Sequence, residues 1–160
     1  MTKLKESRFE NGRPMLFAGI RRHHAFASVG DGITRQWRDF EKLGTLPGQV
    51  GTTAYGAICG ADTKAQTIEY MCAFEVASFE GLPKELGRMR VPAARYAVFR
   101  HDGNVATVRA TWDRIFKEWL PSSGFRSNET PDFEVYGERF DPQTGDGGIE
   151  IWVGIAGDAQ

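Results

Sequence analysis

The chain has 160 residues, of which 41% are hydrophobic and 26% charged, and its formal net charge is −1. These values fit a single domain, residues 1–160, with a sizeable core. They argue against the strongly basic surface needed to displace counterions from nucleic acid. No apolar run approaches the length of a membrane span. The first residues, MTKLKESRFENGR, lack the apolar segment of a signal peptide, so a cytoplasmic protein is expected. Cys59 and Cys72 form no CxxC pair and read as reduced structural thiols.

In chain order, residues 13–22 (RPMLFAGIRR) predict a strand running into a turn. Residues 29–43 carry Ile33, Trp37, Phe40 and Leu43 at helical spacing, with Gly44 as a cap and Pro47 just beyond. TTAYGAICG (52–60) and TIEYMCAFEV (67–76) predict two strands joined by a turn around 61–64. Residues 77–93 hold Gly81, Pro83, Gly87 and Pro92 and read as a connector.

The order then recurs. ARYAVFRH (94–101) predicts a strand, and Asn104 can cap a helix over 105–120. Val108, Trp112, Ile115, Phe116 and Trp119 form its apolar stripe. FEVYGERF (133–140) and GGIEIWVGI (147–155) predict a second hairpin around 142–147. Trp37 and Trp112 lie 75 residues apart, and Ile68 and Ile149 lie 81 apart. Tyr55-Gly56 and Tyr136-Gly137 also lie 81 apart, which makes Tyr55 the expected counterpart of Tyr136. The increment of six is assigned to the loop after the second helix. Two pseudo-repeats are expected, about 8–76 and 94–156, with the connector 77–93 between them. One half alone buries too little, so two should pack together, and the seam between them is a natural cleft.

Strand alternation puts Glu134 and Tyr136 on one face, and Phe133 and Val135 on the other. A carboxylate beside aromatic rings suits an apolar organic cation, since ring faces attract positive charge and the carboxylate neutralises it. Trp152 sits between Ile151 and Val153, whose face should be the one the helices cover. Trp152 is therefore expected on the opposite side with Glu134 and Tyr136. Trp112 reads equally as groove wall or core, whereas Trp37 and Trp119 read as core. Tyr70 and Phe74 also read as core, with Tyr70 close to the seam. His23 and His24, in RRHH at 21–24, read as a solvated strand end. No His, Cys or Asp cluster has metal-ligand spacing, and no nucleophile elbow or phosphate loop is present.

IEYMCAFEV, LPKELGRMRVPAARYAVFRHDG, TWDRIFKEWLPSSG and PDFEVYG, in that order, resemble the GyrI-like small-molecule-binding domain. This is also the effector-binding domain of AraC- and MerR-type multidrug-responsive regulators. The resemblance spans roughly residues 8–156. It implies an α+β fold of duplicated strand–helix–strand–strand modules, with a curved antiparallel sheet, two main helices and a central groove. It further implies that the groove takes apolar, often cationic, compounds over a strand glutamate, which Glu134 matches. Tyr136 matches the aromatic that follows, and Trp112 lies on the flanking helix. Ala73 stands where the family often has Gly. No DNA-reading segment is evident, so the chain is expected to act in a stand-alone form without binding DNA directly.

The expected ligand-binding set is Glu134, Tyr136, Trp112, Tyr55, Trp152 and Tyr70, with no metal and no cofactor. The first expectation is a binder of amphipathic or cationic small molecules, linked to transcription regulation or drug protection. A second is a hydrolase of cyclopropane-bearing compounds, in which Glu134 with Tyr55 or Tyr136 activates water. A third is a protein-interaction module, with gyrase or a cognate regulator as partner.

Overall fold

The computed structural model describes residues 4–157, so the first three residues of the N-terminal segment read above for targeting signals lie outside the described residues. Strand β1 (Arg8–Gly12) ends just before Pro14, and the chain re-enters extended structure as β2 (Met15–Ala25). The two strands serve different units. One unit is Pro14–Val91; the other combines the chain before Pro14 with the chain from Pro92 onward.

In the first unit, β2 leads through a short 3-10 turn, Phe26–Ser28, into helix α1 (Val29–Glu41). Strands β3 (Gln49–Asp62), β4 (Thr67–Val76) and β5 (Gly87–Val91) follow. They form an antiparallel sheet in the order β3-β4-β2-β5. The helix face of this sheet is the apolar set that alternation selects. Phe40 of α1 packs with Tyr70 and Cys72, and Ile20, Ile33, Trp37, Ile58 and Phe74 gather round them. Gln36 is fully buried on α1 and donates to the carbonyls of Ile20 (2.8 Å) and Tyr70 (2.9 Å). Its remaining oxygen lies 2.6 Å from His24 Nε2. Both amide hydrogens are committed to carbonyls, so the imidazole is the donor in that bond.

Three expectations change here. The supposed connector contains β5, which pairs with β2 through Phe17 and Met89. Five residues between Gly- and Pro-rich neighbours carry too little alternation to reveal a strand. The hairpin turn lies at 63–66 rather than 61–64, because Asp62 still pairs with Thr67. Asp62 Oδ1 accepts the N–H groups of Lys64 and Ala65 and closes the turn. Finally, RRHH falls at the end of β2 with Arg21 and His23 exposed, as expected, but it is not solvated alone. Arg21 binds Glu69, Arg22 binds Asp39, and His24 holds Gln36.

In the second unit, β6 (Ala94–His101) matches the expected strand. Asn104 caps the next helix as expected, its Oδ1 accepting the N–H of Ala106 at 2.9 Å. That helix is composite: a 3-10 turn at Val105–Thr107, α2 (Val108–Arg114), a π turn at Ile115–Trp119, and α3 (Leu120–Ser123). In the π turn, the N–H of Leu120 reaches back to the Ile115 carbonyl. Pro121 follows with no N–H to offer, which disfavours regular α-helical bonding at this point. Strands β7 (Arg126–Ser127), β8 (Asp132–Tyr136) and β9 (Ile149–Ala156) complete the unit. Its sheet runs β1-β6-β9-β8, with β7 also on β9.

The fold is therefore α+β and duplicated, as expected. β2, α1, β3 and β4 of one unit correspond to β6, α2, β8 and β9 of the other. The edge strands correspond too, β5 beside β2 and β1 beside β6. Register, however, overturns one sequence equivalence. Ile58 faces Tyr70, and Glu134 faces Ile151. With Tyr70 and Ile151 equivalent at the spacing of Ile68 and Ile149, Glu134 corresponds to Ile58, and Tyr55 corresponds to Pro131, not Tyr136. Most of the extra length lies between β8 and β9, in residues 137–148, rather than after the second helix. β8 stops at Tyr136, short of the expected 140.

Candidate functional site: a buried carboxylate between two aromatic donors

Glu134 is 4% exposed, which is rare for Glu unless its charge is satisfied. Alternation along β8 directs Glu134 and Tyr136 to one face, as expected. Opposite Glu134 in the sheet is Ile151, and opposite Ile151 is Phe99, which meets the edge of Trp119 at 4.9 Å. This is the face that the composite helix covers.

Two neutral donors meet the carboxylate there. Trp112 Nε1–H donates to Oε2 at 2.8 Å, and the Tyr136 hydroxyl donates to Oε1 at 2.6 Å. Bonds of this kind to an ionised acceptor are shorter and stronger than neutral ones. One donor comes from the same strand and the other from a helix 22 residues earlier. The capped helix and the paired strand therefore position the carboxylate jointly. Beyond these donors, the Trp112 ring lies parallel to Phe116 (6.1 Å, 2°), and the Tyr136 ring meets Phe140 edge-on (4.8 Å, 71°).

The apolar stripe of the second helix is only partly as expected. Val108, Ile115 and Trp119 are buried, and Trp112 is half-buried, but Phe116 is exposed. Phe116 directly follows Ile115 and lies at the edge of the stripe, where solvent reaches it. Trp119 is core as expected, and its Nε1–H donates to Glu6 at 2.8 Å.

Trp152 does not share the face of Glu134. It lies opposite Phe133 in register and stacks on that ring at 5.6 Å. Tyr96 packs beside it at 5.4 Å, and the Arg8 guanidinium lies 5.7 Å from its ring centroid. Directly paired residues of an antiparallel sheet share a face, so the Phe133 side takes Trp152 and the Glu134 side takes Ile149, Ile151 and Val153. The expectation failed because it assumed that the helices cover the face away from Glu134.

Tyr55 and Tyr70 belong to the first unit and lie on opposite faces of its sheet. Tyr70 is 2% exposed and packs against α1 with Trp37 at 6.3 Å. Tyr55 is half-buried and stacks on Phe17 at 4.6 Å. Among the described residues, no group of three His, Cys, Asp or Glu side chains has metal-binding geometry. His101 is buried, with Nδ1 2.7 Å from Thr111 Oγ1 and Nε2 2.9 Å from the Asn104 carbonyl. No helix among the described residues is long and apolar enough to cross a membrane.

A sheet-and-helix module thus occurs twice, and the second copy holds a buried carboxylate among aromatic rings. The chain belongs to the GyrI-like family, described as a GyrI-like small molecule binding domain, whose model matches residues 5–156. It is 30% identical over 119 residues to the transcriptional regulator BrlR of Pseudomonas aeruginosa, a match covering 71% of this chain and 42% of BrlR. The chain thus spans less than half the length of that relative. Among solved structures it resembles SAV2435 bound to tetraphenylphosphonium, with a TM-score of 0.73, 14% identity, and 94% and 93% of the two chains covered. It also resembles the EcmrR C-terminal domain, with a TM-score of 0.66, 15% identity, and 93% and 96% covered. At these identities the structural likenesses establish the fold.

Proposed function

We propose that this chain binds amphipathic organic cations, with Glu134 as the counter-charge and Trp112 and Tyr136 as its aromatic partners. The observation that carries this reading is the carboxylate itself, buried among aromatic rings and bonded by Trp112 and Tyr136. Burial strengthens its attraction for a cation by lowering the local dielectric. The rings offer π faces to the same charge. A solved relative of the same fold holds a lipophilic phosphonium, which supports the ligand class. The kinship with BrlR supports a role as the effector-sensing part of transcription regulation.

The test is a tryptophan-fluorescence titration with tetraphenylphosphonium and rhodamine 6G, on wild type and Glu134→Gln. Saturable quenching is expected in the wild type. The variant should bind about 10- to 100-fold more weakly, the scale of losing one charged partner. Equal affinity in the two proteins would remove Glu134 from the site. Following the same mixture over time separates stoichiometric binding from consumption of the ligand.

A further inference from the structure

We infer that β1 is a self-association edge, along which a second molecule of this chain pairs antiparallel about Phe9. The inference is independent of the reading of Glu134.

Among the described residues, β1 pairs with β6 and with no other strand. An open edge presents backbone donors and acceptors to any strand that can approach, and edge charges are a common protection. On β1 the charges are self-complementary. Arg8, Phe9 and Glu10 follow one another, so antiparallel pairing about Phe9 sets Arg8 against the second molecule's Glu10 and Glu10 against its Arg8. Centring the pair on Glu10 would instead oppose two acids. Among the described residues β5 is also an edge, paired with β2 alone, but it lacks this property. Self-pairing about Met89 would set Arg88 against Arg90 on both sides.

Both faces of β1 suit such a pair. Arg8 and Glu10 share the face of Val98 and Tyr96, and Phe9 shares the face of Ala97. On the first face, Arg8 donates to Glu10 at 2.7 Å and to Glu150 at 2.6 and 3.1 Å. Among the described residues these three bonds leave part of the guanidinium fork for a further carboxylate. The side chain is already ordered along the edge, which lowers the entropy cost of association. On the second face, Phe9 is 38% exposed. Its ring lies 5.6 Å from that of Phe125, and the Arg95 guanidinium lies 5.3 Å from its centroid. Contact between the two Phe9 rings across a two-fold axis would cover this apolar surface. A two-fold contact of this kind closes at the dimer.

Sedimentation velocity over a concentration series tests the pairing, on wild type, Glu10→Arg and Glu41→Arg. Wild type should pass from monomer to dimer as concentration rises. Glu10→Arg places like charges at both symmetry-related pairs and should raise the dimer Kd about 10-fold or more. Glu41→Arg, an equal change of charge at the end of α1, should leave the Kd within about twofold of wild type. Disulfide trapping reads the register separately. Phe9→Cys sets two thiols directly opposite one another, within reach of a disulfide, whereas the two thiols of Asn11→Cys lie roughly 13 Å apart along the strands. Mild oxidation should yield a covalent dimer of Phe9→Cys, and none of Asn11→Cys or of wild type, which carries Cys59 and Cys72. A wild type that stays monomeric up to ~1 mM overturns the inference. So does a dimer whose Kd is unchanged by Glu10→Arg, because association would then use another surface. Trapping through Asn11→Cys but not Phe9→Cys overturns it as well.

Discussion

The indole of Trp112 and the carboxylate of Glu134, 22 residues apart in the chain, are joined by a 2.8 Å hydrogen bond. The bond couples the composite helix to β8 and keeps a buried acid satisfied. Trp112→Phe keeps the ring and deletes this donor, so the buried carboxylate loses one of its hydrogen bonds. A loss of about 1–3 kcal/mol in urea unfolding is expected. In the Glu134→Gln background the same substitution should cost much less, since the charge is gone. Additive losses in this double-mutant cycle would show that the bond contributes nothing to stability.

Asp132 makes stability depend on pH. Burial pushes its carboxyl from 3.8 up to about 6, partly opposed by the hydrogen bond it accepts from Gly154 N–H. The folded state therefore holds this proton more tightly than the unfolded one. Its stabilising contribution is complete below about pH 4 and is lost as pH rises through about 6. Asp132→Asn keeps an oxygen for Gly154 and removes the titration. The variant should be more stable than wild type by roughly 1–2 kcal/mol at pH 7.5 and equal to it near pH 4. Parallel stability curves across this range would refute the assignment.

Gly147 shapes the loop that presents Phe140. Its φ is 113°, and a Cβ there would overlap the carbonyl of Arg139. Gly147→Ala should cost roughly 2–4 kcal/mol by thermal or urea unfolding, combining backbone strain with a steric clash that no rotamer relieves. A change below about 0.5 kcal/mol, the scale of neutral surface substitutions, would mean that the loop adopts another path in solution.

The two thiols should be inert in the folded protein. Cys72 is fully buried, and burial pushes the Cys59 thiol up to about 11 despite the nearby Arg21 guanidinium. Because the thiolate is the reactive form, a disulfide-exchange reagent at pH 7.5 should label neither residue quickly, and both on unfolding. Rapid labelling of one equivalent under native conditions would contradict this.

Sequence analysis went furthest where a signal is local. The strand 94–101, the Asn104 cap and the shared face of Glu134 and Tyr136 each follow from a few adjacent residues, and each is present. The duplicated order of elements was also legible, because apolar periodicity repeats along the chain. The edge strands β1 and β5 were not. Five residues with one neighbouring strand carry weak alternation, and their pairing with β6 and β2 decides their conformation. His24 and Gln36 were missed for a similar reason, since their bond joins a strand to a helix across a fold that spacing alone does not specify.

By itself the sequence determined the type and order of the main elements, and which side chains share a face within each strand. Both follow from fixed backbone periods. The tertiary structure decided how those faces match between strands and which of them a helix covers. A bulge or a longer turn shifts register, and each one-residue shift exchanges the two faces. That is why Trp152 lies with Phe133, why Tyr55 is no counterpart of Tyr136, and why the acid at 134 came to rest beneath the indole of Trp112.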